Sequence, residues 1–291
     1  MVITAARTAL RFLPDSLRFG LVRRLVARTN RPKYSAAAIE ASRAARRVEY
    51  APGRVLWSWG QGPAILFVHG WNGHALQFAS IAEQAASRGF QCLAVDVGGH
   101  GESAGRRTGW DFFMRDIVAA VAVAGAPVHA LVGHSAGALT AMALRRQGRI
   151  LSRRYVLVSA PTYPFPATDA IRRKLAPGEK VIARYQSYVA SQFETEWDRM
   201  RAAEFFQSVQ EPMLLCYDSD DAVVPSSEAR RIQGACPHAE LLLTRGYRHN
   251  GILSANEVVA RVVDFVSESS PAGTNVSSRW AAELPARRDG Q

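Results

Sequence analysis

The sequence predicts an α/β protein built on a mainly parallel, eight-stranded sheet with helices on both faces and a short helical cap. Three observations carry that prediction. Eight short apolar runs recur between residues 48 and 244, and segments of helical period separate most of them. Strands and helices that alternate in this way form parallel sheets covered on both faces. A chain of 291 residues is long enough to bury a large core without disulfides or a metal. Its 48% hydrophobic and 21% charged content is that of a globular protein. Collagen-like, low-complexity and largely disordered classes are thereby excluded.

Taken in order, residues 1–45 read as a basic, largely helical segment broken near Pro14. Leu10, Leu13, Leu17, Leu21, Leu25 and Val26 are expected to share one face, with Arg on the other. Residues 46–268 form the main domain. A hairpin is predicted from residues 48–50 and 54–58 around Pro52-Gly53. Strands follow at 64–68, 91–97, 128–132, 155–159, 213–217 and 241–244. Helices are predicted over 76–88, 111–124, 136–146 and 252–266. Residues 161–211 are too long for a simple loop and are read as a helical insertion. Residues 269–291, rich in Ser, Pro and Gly, read as a disordered tail.

In parallel sheets ligands bind beyond the C-terminal strand ends, so chemistry is sought there. The fifth run leads into Gly133-His134-Ser135-Ala136-Gly137 and then a helix. A tight turn of this kind lifts the Ser135 hydroxyl off the sheet edge, and the helix N-terminus favours developing negative charge. A serine nucleophile needs a base and a group that orients the base. The strand at 213–217 ends in Asp218-Ser219-Asp220-Asp221. Asp221, four residues before Pro225, is taken as the orienting acid, with Asp218 and Asp220 turning the chain or capping the next helix. His249 follows the last strand and is taken as the base.

Ser135, Asp221 and His249, in that order and each after a separate strand, resemble the α/β-hydrolase superfamily. Three more segments are similar to it. His69-Gly70-Trp71 stands where the family has its oxyanion loop. Asp96-Val97-Gly98-Gly99-His100-Gly101-Glu102-Ser103 looks like its D-x-x-G-H-G-x-S turn, and Asp221-Ala222-Val223-Val224-Pro225 looks like its acid loop. The resemblance spans about residues 46–268 and departs at Asp218, where a glycine is usual. It implies that Ser135 attacks an acyl carbon while His249 takes its proton and Asp221 holds the imidazole. The backbone N–H groups of Trp71 and Ala136 would form the oxyanion hole. The insertion would be the cap, and its aromatic residues suggest an apolar acyl substrate. His74, Tyr163 and Phe165 are candidates for the pocket wall. Carboxylic-ester hydrolysis is the expected reaction; thioester, amide or lactone hydrolysis on the same residues is the alternative, as is a non-catalytic binding protein of the same fold.

The remaining features are read more plainly. His69 and His100 are expected to hold loop geometry, His134 to pack the turn, and His129 and His238 to be structural. No His or Cys spacing suggests a metal, and no cofactor is expected. The net charge is +11, but residues 1–47 hold eleven basic residues against two acidic ones. No basic groove is therefore implied in the main body, and nucleic acid is not expected as a partner. The N-terminal segment is read as packed on the domain, with contact to a membrane surface as the other use. Three cysteines without a C-x-x-C pair point to a reducing, cytoplasmic setting. Gly99-x-Gly101-x-x-Ala104 fits a dinucleotide fingerprint formally. It lacks an immediate helix and an acid after the next strand, so a Rossmann site is not expected.

Overall fold

The computed structural model describes residues 12–125 and 127–268. The expected disordered tail and the start of the N-terminal segment, with Leu10, lie outside them. Among the described residues eight strands form one sheet: β1 (Arg46–Ala51), β2 (Arg54–Trp59), β3 (Ala64–Val68), β4 (Gln91–Asp96), β5 (Ala130–His134), β6 (Tyr155–Val158), β7 (Met213–Asp218) and β8 (Glu240–Thr244). Their order is β1-β2-β4-β3-β5-β6-β7-β8. β2 runs antiparallel to β1 and β4, and the remaining pairings are parallel.

Side chains on a strand alternate between faces, and here each face has its own core. Leu66, Val68, Leu93, Val95, Leu131 and Leu157 enter one cluster, under α4 (Trp110–Ala124), α5 (Ala136–Arg146) and the insertion. Ile65, Phe67, Cys92, Ala94, Val132 and Val156 enter the other, under α3 (Ala79–Ser87) and α11 (Asn256–Ser267). The central strands are buried on both faces, which is why they read as unbroken apolar runs.

The expected elements are present with local differences. β5 begins at Ala130 rather than residue 128. Val128 N–H instead donates to Leu151 O at 3.1 Å, drawing that residue toward the loop before β6. The helix expected over 76–88 opens as a 3-10 turn at Ala75–Phe78 before α3. The helix expected over 252–266 is split. A short helix, α10 (Arg248–Gly251), and a 3-10 turn precede α11, because Ala255 takes extended backbone (φ −68°, ψ 122°) that no helix can pass through.

The N-terminal helix α1 (Asp15–Val26) needs a larger correction. It buries Phe19 and Val22, while Leu17 is 57% exposed. Leu21, Leu25 and Val26 pack half-buried against the core as expected, but leucines spaced by four residues drift about 40° per step around a helix of 3.6 residues per turn, which carries Leu17 out to solvent. α1 lies instead against the insertion, and α2 (Ala36–Arg43) joins it to β1. The insertion comprises α6 (Phe165–Leu175), α7 (Glu179–Gln192), α8 (Trp197–Arg201) and a 3-10 turn at Glu204–Phe206; α9 (Ser227–Ala235) follows β7. Among the described residues no helix is long and apolar enough to cross a membrane.

Candidate active site

Ser135 sits between β5 and α5 with φ 50° and ψ −116°, backbone that a non-glycine residue rarely adopts. Two glycines make this turn possible. A Cβ on Gly133 would stand 2.6 Å from Ala138 Cα, and one on Gly137 would stand 2.4 Å from Val68 O. Any side chain at either position would push the helix off the sheet. The G-x-S-x-G spacing is therefore a steric requirement of bringing α5 against β3 and β5.

Three strand ends converge here. The Ser135 hydroxyl lies 3.2 Å from His249 Nε2 and donates to it; His249 Nδ1–H donates to Asp221 Oδ2 at 2.7 Å. Asp221 Oδ1 accepts from the N–H groups of Val223 (2.8 Å) and Val224 (2.9 Å). Burial opposes its charge, but the His249 contact and these two N–H groups outweigh it and hold its carboxyl below the usual carboxylate range. Both carboxylate oxygens are thus occupied, and the imidazole is left with its Nε2 lone pair toward the serine.

The loop after β3 faces the same turn. A Cβ on Gly70 would come 2.9 Å from Ser135 Cβ, so Gly70 lies directly against the serine. Trp71 follows, its ring stacked on Phe113 at 5.8 Å. Asn72 has φ 59° and donates its N–H to His100 Nε2 at 3.1 Å. His69 Nδ1–H donates to Gly70 O at 2.7 Å, and its Nε2 accepts from Val97 N–H at 3.1 Å. Burial pushes His69 well below its ordinary value and His100 down to about 4, so both stay neutral and can accept these bonds. Asp96 binds the loop from behind through the N–H groups of Ala75 and Glu102 and the Trp57 indole. Among the hydrogen bonds of the described residues, none uses the N–H of Trp71 or of Ala136.

This geometry can be set beside known proteins. A family model described as serine aminopeptidase, S33, matches residues 62–205. A pimeloyl-[acyl-carrier protein] methyl ester esterase from Chromobacterium violaceum is 39% identical over 103 residues, which are 34% of this chain and 39% of that protein. The chain thus spans well under half the length of that curated relative. Among solved structures, an esterase of Pyrococcus furiosus superposes with a TM-score of 0.59 at 20% identity, over 82% of this chain and 96% of its own. A thioesterase domain from the curacin biosynthetic pathway gives 0.56 at 18%, over 76% and 98%. The chain has the α/β-hydrolase fold, and residues 62–205 are similar to that family of serine hydrolases.

Within this fold two residues matter more than the sequence suggested. Asp218, expected to turn the chain, is fully buried and grips the histidine loop. Its Oδ2 accepts from Thr244 Oγ1 (2.8 Å) and Tyr247 N–H (3.1 Å), and its Oδ1 from Arg248 N–H (3.1 Å) and Asp220 N–H (3.0 Å). Burial opposes its charge too, and these four donors outweigh it, so its carboxyl is also held below the usual range. Arg248 has φ 60°, and His249 is the next residue. The strained step that aims the imidazole is therefore clamped by Asp218. His134 does more than pack: its Nε2–H donates to His249 O at 2.9 Å. Asp218 carried a sequence signal, an acid where the family usually has glycine. His134 carried none.

The three proposed wall residues stand apart from this network. His74 is buried at the start of the 3-10 turn, its ring 4.7 Å from that of Tyr34. Tyr163 and Phe165 pack on each other at 5.2 Å, and Tyr163 meets Trp197 edge-on. No hydrogen bond or ring contact links any of the three to Ser135, Asp221 or His249 among the described residues.

Proposed function

We propose that the protein is a serine hydrolase that cleaves a carboxylic ester through an acyl-enzyme on Ser135. The observation that carries this reading is the unbroken relay from Ser135 Oγ through His249 to Asp221, at 3.2 and 2.7 Å, on a strained turn. His249 Nε2 takes the hydroxyl proton as Ser135 Oγ attacks the acyl carbon. Asp221 keeps the proton on Nδ1 and stabilises the imidazolium. The free N–H groups of Trp71 and Ala136 receive the oxyanion, and Ala136 opens α5, whose N-terminal end adds a favourable partial charge. The imidazolium then protonates the leaving alcohol, and water activated by His249 releases the acid.

The curated relative's name, a methyl ester esterase, supports an ester as the scissile bond. The aromatic residues of the insertion support an apolar acyl group beneath a small cap. Three free, buried cysteines fit a reducing, cytoplasmic setting. The test is intact mass after treatment with a fluorophosphonate probe, beside the Ser135→Ala variant. One adduct on the wild type and none on the variant is expected; p-nitrophenyl esters of increasing chain length then define the acyl group. A folded wild type that takes no adduct would overturn the proposal.

A further inference from the structure

α1 and the insertion helix α7 are fastened together. Phe19 meets Tyr188 edge-on at 6.0 Å, and Arg18 Nη1–H donates to Pro177 O at 3.0 Å. Between them, against residues 107–110, lies a cleft of about 400 Å³. That volume is in the range of small-molecule sites. Arg23, Arg24, Arg107, Trp71, Trp110 and Tyr188 line it, and no carboxylate does. Trp71 ties it to the chemistry, because the preceding residue, Gly70, lies against Ser135. Five residues of its wall, Gly20, Arg23, Arg24, Val26 and Ala27, come from a segment that precedes the region matched by the family model.

Its charge is uncompensated. Some arginines elsewhere are paired, as Arg145 is with Glu211 and Arg172 with Glu179. Among the described residues, the side chains of Arg24 and Arg107 make no hydrogen bond or ion pair. The Arg23 guanidinium lies over the Tyr188 ring at 4.5 Å, which restrains it at the cleft wall while leaving its N–H groups without a carboxylate. Two wall residues add a second, independent sign. Thr108 is 3% exposed and Trp110 4%, and both Thr108 Oγ1 and Trp110 Nε1 are buried without a hydrogen-bond partner. Donors left in that condition are costly, and both belong to residues of the cleft wall.

We propose that this cleft binds an oxyanion carried by the substrate at the end remote from the acyl carbon that Ser135 attacks. The proposal rests on the ester-hydrolase reading and narrows its substrate class to esters or thioesters that bear a carboxylate or a phosphate. Guanidinium groups match both anions through parallel N–H donors. The anion has two chemical sources: a terminal carboxylate on the acyl chain, or a phosphate on the leaving group.

Matched substrate pairs test it. Mono-p-nitrophenyl adipate is compared with p-nitrophenyl hexanoate for the first source, and hexanoyl phosphopantetheine with hexanoyl pantetheine for the second. In wild type, kcat/KM for the charged member of at least one pair should exceed that of its neutral partner by about tenfold or more, the size of one or two charge-assisted hydrogen bonds. The pair that responds identifies the source. The Arg24→Gln/Arg107→Gln variant should reduce that ratio about tenfold, through KM. As a readout free of turnover, Ser135→Ala protein should bind the favoured charged substrate at least tenfold more tightly than the neutral one by calorimetry. Equal or weaker use of both charged substrates by a wild type that takes the fluorophosphonate label would overturn the cleft and leave the ester reading standing. An unlabelled wild type overturns the ester reading alone, and the calorimetric comparison still decides the cleft.

Discussion

Around Ser135 nearly every polar group is buried and has a partner; in the cleft between α1 and α7 guanidiniums stand without a carboxylate. Asp221 and Asp218 each accept several hydrogen bonds, and His69, His100 and His134 are kept neutral by burial while they bond to backbone. In a low-dielectric setting such a network has little freedom to rearrange. Its parts hang from strand ends, where one displaced residue would break the ladder. The cleft is made by a helix and an insertion attached to the sheet from outside. The difference teaches that the chemistry belongs to the sheet, while substrate choice belongs to elements that can vary without disturbing it.

That contrast can be broken in several places. The largest effect belongs to the nucleophile: Ser135→Ala should lower turnover by roughly 10⁴-fold or more. Its thermal melting should stay close to that of wild type, because no packing is lost. His249→Ala should match it in a p-nitrophenyl ester assay. Wild-type-like turnover in either variant would remove that residue from the mechanism.

The two aspartates sharpen the comparison. Asp221→Asn should cost roughly 10³-fold in kcat, because the amide cannot hold the imidazole with its proton on Nδ1. Asp218 touches only the loop, so Asp218→Asn should cost roughly tenfold, in kcat rather than KM. Asp218→Ala would also leave four donors unsatisfied and should lower stability by roughly 3 kcal/mol in urea unfolding. A greater loss of kcat in Asp218→Asn than in Asp221→Asn would reverse their roles.

Smaller effects concern pH. Burial lowers His74 and His100 to about 4 and His134 to about 3. The unfolded chain therefore takes up their protons first as pH falls below about 6.5, so stability begins to drop there and keeps dropping toward pH 3–4. Asp218 and Asp221 act in a lower window. Their stabilisation is present above about pH 4 and is lost as pH falls through their depressed folded values. The urea midpoint should thus fall as pH drops from 7 toward 4, and the two aspartates carry the fall on below 4. His134→Gln should flatten the upper part of that fall; an unchanged slope would show that His134 is not buried neutral.

Much of this architecture was legible from residue order. The helix over Ala136–Arg146 has the boundaries expected of it, because Gly137 and the alanines behind Ser135 permit only that close approach to the sheet. The residues Ser135, Asp221 and His249, which the structure brings together, could be named because each follows an apolar strand. Harder to read was α1, where a ladder of leucines suggested a face that the helix keeps at Leu21, Leu25 and Val26 but not at Leu17, and the partner of Phe19 lies some 170 positions along the chain on α7. His74 was named for its place near the expected pocket mouth and Tyr163 and Phe165 as aromatics of the insertion; neither property specifies the direction of a side chain.

The sequence by itself determined the sheet, the turn at Ser135 and the neighbours of each strand end, because these depend on local sterics and on the period of the apolar pattern. Only the tertiary structure decided that Asp218 would clamp the step before His249. Its four donors come partly from residues 244–248, and no local pattern encodes that meeting. Only the tertiary structure, likewise, brought Arg23, Arg24 and Arg107 to one cleft beside Trp71. Charge is a property of composition, but a binding site requires that charges from distant segments share one small volume, and chain packing alone sets that.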